Sequence, residues 1–270
     1  MEFSQIGVIA GKEFRDRLRN RWVLAVASVF TLFALVIAYF GSAQQGAVGL
    51  RGIDVTIASL VSLVIYLVPL IALILGYDAI VAERERGSLD LLLSMPITRL
   101  EVLLGKFAGL AGALGVATIA GFGLAGLLLF YQLGNAALYH YGGFMLSAFL
   151  LSLCFLSLAV MVSVIAEDRM RASGIAIALW FFFVLVYDLL LLGLLVITEG
   201  KASLDFFPVL LMLNPADIFR ILNIFGFDDV RRIYGLATVF PETLANPWLL
   251  GSALILWIAA PLGVAAWRFK

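Results

Sequence analysis

Charge is scarce in this chain. Asp, Glu, Lys and Arg make up 13% of its 270 residues, about half the share of an ordinary soluble domain. The eighteen basic and eighteen acidic residues balance, which excludes the basic excess that binds nucleic acid through bulk electrostatics. Cysteine occurs once, at Cys154, so an internal disulfide and any multi-cysteine zinc or iron–sulfur centre are excluded. Histidine also occurs once, at His140, which excludes a zinc-hydrolase helix of the H-E-x-x-H kind. No G-x-x-x-x-G-K-S/T loop is present, so the chain does not cradle nucleotide phosphates by that route. No nucleophile–histidine pair can be drawn. The chain is therefore not expected to be an enzyme, and no catalytic residue is assigned.

Apolar side chains are abundant, at 63% of residues. One water-exposed core cannot hide so many, and the expected class is an all-α polytopic membrane protein forming one transmembrane domain over residues 1–270. A spanning helix needs about 20 apolar residues, because the hydrocarbon layer is about 30 Å thick and each residue rises about 1.5 Å. Six segments qualify: residues 22–40, 55–77, 107–131, 143–165, 172–197 and 247–267, uncharged except for Asp188. A turn is expected over 132–143, where Gly, Asn and Tyr cluster and where His140 would sit near the outer surface. The first span is too long for a signal-peptide core and has no small-residue cleavage site after it, so no cleavable leader is expected.

An even number of spans puts both termini on one side. Arg51, Lys201, Arg220, Arg231 and Arg232 then lie on the other side, and the remaining thirteen of the eighteen basic residues lie with the termini. That asymmetry predicts cytoplasmic termini in a bacterial inner membrane. Trp22, Trp248 and Trp267 fall at span ends, as aromatic belts require.

Four segments lie outside the spans. Residues 2–20 place Ile6, Ile9, Phe14 and Leu18 on one stripe, as in an amphipathic helix at the membrane surface; a plain basic flank is the alternative. The loop 78–106 reads DAIVAERERGSLDLLLSMPITRLEVLLGK. Gly87 breaks a charged helix, Ser88 is the expected N-cap, and Asp90 sits in the favoured first turn. Leu89, Leu92 and Leu93 then share a face until Pro96 ends the helix, and Thr98 with Glu101 forms a capping box for the next. Such a helix either docks in a groove of a partner or packs on the chain's own helix ends. The outer segment 198–246 carries apolar Phe206 and Phe207. Its Asn214-Pro-Ala-Asp217 helix start leads into a stripe of Ile218, Ile221, Leu222 and Phe225, which reads as a lid or a docking platform. The short charged loop Ala166–Arg171 offers a minor second contact on the side of the termini.

Within the spans, Asp188 needs a partner on another helix, because a central carboxylate costs about 2.5–3.5 kcal/mol on insertion scales. Pathway and structural roles are both open to it. Gly105, Gly109, Ala113, Ala117, Gly121 and Ala125 recur at four-residue steps, a small-residue ridge for close packing within or between subunits. Met145, Cys154 and Met161 offer soft ligands, but methionine in an apolar helix is usually filler, and no metal site is assigned.

The loop also carries a family likeness. Glu85 to Pro96 follows the pattern E-x-G-S/T-L-D/E-L-L-L-S/T-x-P, with Gly105 and Lys106 beyond, and the six-span layout covers the rest. The chain resembles the permease subunits of ABC-2-type exporters. That resemblance implies that the loop is the coupling helix contacting an ATP-binding-cassette ATPase through Glu83, Glu85, Arg86, Gly87, Leu89, Asp90, Leu92, Leu93, Met95 and Pro96. The runs KEFRDRLRNRW, YDAIVAERERGSLDLLLSMP and NPADIFRILNIFG look like the permeases of nitrous-oxide reductase maturation systems. This closer likeness implies two copies of the chain, NosF-like ATPases beneath that hold ATP and Mg, and a periplasmic NosD-like subunit above. The outer docking set would be Phe206, Phe207, Asn214, Asp217, Phe219, Ile221 and Phe225. The implied task is assembly of the reductase's copper–sulfur centres, by export of a sulfur species or copper or by mechanical coupling. A generic exporter of drug, lipid or polysaccharide is the alternative.

Overall fold

In a computed structural model, residues 3–40, 53–133, 135–198, 206–224, 241 and 244–269 are described. Every regular element among them is a helix: α1 (Phe3–Arg19), α2 (Trp22–Phe40), α3 (Ile53–Gly76), α4 (Val81–Glu85), α5 (Ser88–Leu93), α6 (Arg99–Leu133), α7 (Asn135–Ile165), α8 (Arg169–Phe181), α9 (Tyr187–Ile197), α10 (Phe207–Met212), α11 (Pro215–Ile224) and α12 (Pro247–Arg268), with a π-helical turn at Phe182–Val186 between α8 and α9. Five stretches are long and apolar enough to cross a membrane: Ile57–Glu85, Arg99–Leu127, Tyr141–Ile165, Arg169–Ile197 and Pro247–Arg268. α1 and α2, bent by 64° to each other, pass the same test together and bring the candidate spans to six. The chain is an all-α, multi-pass membrane protein.

The bend lies at Arg21, whose φ of 53° is a left-handed conformation that residues other than glycine rarely adopt. α1 is thereby turned back along α6 rather than continuing α2. The small-residue ridge explains the fit. A methyl group built on Gly105 would lie 2.7 Å from Cβ of Ile9, and one on Gly109 would lie 2.6 Å from the carbonyl oxygen of Ala10. Further along α6, Gly121 receives Phe30 of α2 in the same way. The ridge therefore packs within the subunit and seats α1 and α2 in succession. Phe30 stacks on Phe122 with ring centroids 4.8 Å apart, and Phe144 of α7 meets Phe122 edge-on.

α7 is the axis of the bundle. It touches α3, α6, α8, α11 and α12, and Ala148, Leu151, Phe155, Leu156, Ala159 and Val160 are fully buried. The expected turn over 132–143 is instead helical on both sides of residue 134, with α6 ending at Leu133 and α7 starting at Asn135. Most residues of that stretch are compatible with helix. The His140 side chain lies outside the described residues. α1, the start of α6 and the end of α12 gather at one end of the bundle, where the Arg99 guanidinium lies 5.9 Å from the Phe269 ring; this is the terminal end below.

Gly109→Ala should lower stability by about 1–3 kcal/mol, because the methyl meets backbone that cannot give way. Gly123→Ala meets nothing within 4 Å and should be neutral or stabilising by up to about 1 kcal/mol. Thermal unfolding of the detergent-purified protein separates the two.

Candidate coupling loop and buried charge cluster

The loop at the terminal end is built by alternating breakers and caps. α3 unwinds over residues 77–80, and α4 follows for five residues. Gly87 then takes φ 70°, where a side chain would be strained, and turns the chain into α5. Gly87 is also the N-cap residue of α5. Ser88 is not the cap: its hydroxyl donates to the carbonyl of Glu83 instead, at 3.3 Å. The capping box forms as read. The Thr98 N–H donates to Glu101 Oε2 at 2.8 Å, and the Glu101 N–H donates to Thr98 Oγ1 at 3.3 Å.

The apolar face of α5 packs on the chain's own core. Leu89 is buried, and Leu92 and Leu93 pack against the chain's own core. The outward face presents Leu91, 70% exposed, and Met95, 55% exposed, four residues apart. Arg86, Asp90 and Pro96 are exposed beside them. The left-handed turn at Gly87 reverses the chain and lays the Leu89 stripe on the helix ends.

Glu83 and Glu85 are engaged inside the chain. Glu83 pairs with Lys106 at 2.8 Å, and Lys106 also holds Glu13 of α1 at 3.3 Å. Lys106 is 5% exposed, and a buried ammonium needs such partners. Glu13 pairs with Arg17, Arg17 with Asp78, Asp78 with Arg169 and Arg169 with Glu85. Charges of alternating sign thus join α1, the end of α3, α4, α6 and α8.

In the other half of the bundle, Asp188 finds the partner it requires. Arg220 of α11 donates to it at 2.8 Å and to Asp217 at 2.5 Å. Asn214 caps α11 by accepting from the Ala216 N–H at 3.0 Å. Its amide donates to Asp217 and to the Phe183 carbonyl in the π-helical turn, at 3.0 and 2.9 Å. α11 is packed among α3, α7 and α12, and eight of its ten residues are buried. Of the outer docking set, Phe207, Asn214, Asp217, Phe219 and Ile221 are buried within the chain. Phe206 is exposed, and Phe225 lies outside the described residues. The polar groups of α11 pair with Asp188, Phe183 and Ser147 rather than with water, so a segment polar enough to read as interfacial is drawn inward. The Ser147–Asn223 pair, with the Asn223 amide donating at 2.9 Å, belongs to the same set.

Two carboxylates share the one guanidinium of Arg220. Burial pushes the Asp217 carboxyl, outside the spanning helices, up to about 7; Arg220 opposes that shift and Asp188 adds to it. Cys154 is occupied in packing, its thiol donating to the Leu254 carbonyl at 3.3 Å. Among the described residues, no three His, Cys, Asp or Glu side chains gather to hold a metal ion.

Sequence reasoning missed several of these residues. Arg220 was counted as a loop cation, although its three-residue spacing from Asp217 was a readable signal. Lys106 was noted only as the tail of a motif. Ser163, a serine in an apolar span, carried no sequence signal for the hydrogen bonds it accepts from the start of α4.

The chain belongs to the ABC-2 transporter family: residues 8–270 match the family described as ABC-2 family transporter protein. Among individual proteins, it is 44% identical to the probable ABC transporter permease protein NosY of Pseudomonas aeruginosa over 271 aligned positions, covering 98% of each chain. It is 42% identical to the protein of the same description from Stutzerimonas stutzeri, covering 99% of this chain and 98% of that one.

Arg220→Leu should cost about 3–5 kcal/mol by stranding Asp188, and adding Asp188→Leu should recover part of that loss in thermal unfolding. Asp217 keeps its proton in the fold up to about 7, against 3.8 when free. Its contribution to stability is thus full below the lower value and is lost as pH rises through the upper one. Asp217→Asn should flatten the fall in unfolding temperature between about pH 4 and about pH 7.

Proposed function

We propose that this chain is the permease of an ATP-binding-cassette assembly that serves periplasmic maturation of the copper–sulfur centres of nitrous-oxide reductase. Two copies span the bacterial inner membrane with the terminal end in the cytoplasm, where the excess of basic residues lies. A NosF-like ATPase beneath each copy holds ATP and Mg, and a NosD-like protein meets the periplasmic face. The chain itself hydrolyses nothing and binds no cofactor.

The observation that carries this reading is α5. It is a short helix fixed by Gly87 at one end and by Pro96 and the Thr98–Glu101 box at the other, with Leu91 and Met95 turned outward. A rigid apolar pair on a short helix suits a groove on a cytoplasmic partner. The likeness to NosY permeases along the whole chain supplies the biological setting.

The work follows from differential binding. ATP draws the ATPases together, α5 rides with them, and the spans rearrange only as far as ATP favours one arrangement over the other. Cys154 and Met161 are engaged in packing, which favours a sulfur-containing solute or mechanical coupling over a copper-lined path. Asp188 is held by Arg220 and serves the architecture of the outer half of the bundle.

Leu91→Asp combined with Met95→Asp should leave the chain folded, since both positions are exposed. It should abolish co-purification of the ATPase, because unpaired charge in an apolar groove lowers affinity by roughly a hundredfold or more. Retention of the ATPase by that variant overturns the role given to α5.

A further inference from the structure

A coupling helix does work only if it is fastened to the spans it moves. α5 is followed by an extended turn at Pro96 and preceded by the Gly87 turn, so the nearest anchor on its N-terminal side is α4. The start of α4 is buried: Ile80 and Val81 are fully hidden from solvent. Their backbone N–H groups are orphaned by the helix start and need an acceptor. Both donate to Oγ of Ser163, at 2.9 and 3.0 Å. Ser163 lies near the end of α7 and is itself fully buried.

The end of α7 is satisfied in return. Its last carbonyls are orphaned in the same sense. Arg84 of α4 donates Nη1 to the Ala166 carbonyl at 2.9 Å and Nη2 to the Val164 carbonyl at 3.0 Å. Each helix end is thus capped by a side chain of the other. The neighbouring Glu85 extends the arrangement to α8, whose first residue, Arg169, donates its N–H to Glu85 Oε1 at 2.7 Å. A carboxylate at a helix N-terminus is also favoured by the helix dipole. Each of these bonds has a main-chain atom at one end, of α4 where Ser163 accepts and of the α7 end or α8 where Arg84 and Glu85 reach, so the helix backbones themselves are tied. The surrounding ion pairs join side-chain tips, across 2.8 to 3.9 Å, as Glu83 does with Lys106 and Arg169 with Asp78 and Glu85.

We propose that Ser163 and Arg84 are positioning residues for energy coupling: their reciprocal cap fastens the coupling segment to α7, the fourth span, beside the Glu85 bond to α8, so that displacement of α5 reaches the far half of the bundle through α7 and α8. This rests on the role given to α5 above.

The test uses the complete complex, purified with its ATPase and periplasmic partner, in lipid nanodiscs. Spin labels are placed at Ser94→Cys, exposed beside α5, or at Ile197→Cys, exposed at the end of α9. The native Cys154 is buried and stays unlabelled. Distances between the labels of the two copies are read with and without a non-hydrolysable ATP analogue and Mg. In the parent, both pairs should shift on nucleotide binding. In Ser163→Ala with Arg84→Gln, the Ser94→Cys shift should persist while the Ile197→Cys shift shrinks by half or more. An Ile197→Cys shift of parental size in that variant overturns the proposal, even where stability has fallen. A Ser94→Cys pair unmoved by nucleotide in the parent overturns the role of α5, and this proposal with it. Should the buried Ser163→Ala fail to fold, Arg84→Gln alone, at an exposed position, carries the same expectation. Arg84→Lys, which keeps a charged donor, should then recover part of the shift.

Discussion

A polar group carried into the hydrocarbon layer cannot turn to water, and must find its partner within the protein. That constraint explains more of this molecule than its apolar bulk does. Serine hydroxyls along α7 reach across to neighbouring backbones, as Ser157 does to the carbonyl of Trp257. The indole of Trp180 donates to the Tyr66 carbonyl, and the phenol of Tyr187 donates to that of Leu210. Asp188 and Arg220 solve the same problem with full charges. Apolar packing in lipid gives little preference for one neighbour over another, so these few directed bonds specify which helix lies where.

The consequence is a division of labour along the bundle. At the terminal end, charges alternate through Glu83, Lys106, Glu13, Arg17, Asp78 and Arg169 and hold α1, α4, α6 and α8 together. In the far half, α11 enters between α3, α7 and α12 and brings its own charges with it. Between these two polar zones α7 buries aliphatic and aromatic side chains, among them Leu151, Phe155 and Leu156. α7 passes through both zones and the region between them, which suits it to carry displacement from one to the other.

Much of the fold was legible because lipid enforces a simple rule on sequence. Six apolar stretches, a capped break at Thr98 and Glu101, and a carboxylate in search of a partner at Asp188 can all be read from residue types alone. Side-chain direction could not be read in the same way. Leu89, Leu92 and Leu93 satisfy the periodicity of an apolar face whether that face meets a partner or the chain's own core, and spacing alone does not distinguish the two. α11 was misplaced for a related reason. Asn214, Asp217 and Arg220 look like surface residues until their partners Phe183 and Asp188, more than twenty-five positions away in sequence, are brought alongside. Ser163 was hidden for the opposite reason: one hydroxyl among apolar residues announces nothing until the backbone it caps is known.

The π-helical turn at Phe182–Val186 has a geometric corollary. Such a turn holds one residue more than its α-helical counterpart, and each residue of an α-helix advances the azimuth by about 100°. An extra residue wound in regularly would swing everything from Tyr187 onward through about that angle, whereas the wide turn takes it up within one revolution and keeps Asp188 facing Arg220. Removal of a single amino acid there would restore regular winding, and the amide of Asn214 would lose the carbonyl that the wider turn exposes. The surplus residue of the fifth span thus works as a latch, freeing one main-chain acceptor that the Asn214 amide ahead of α11 engages.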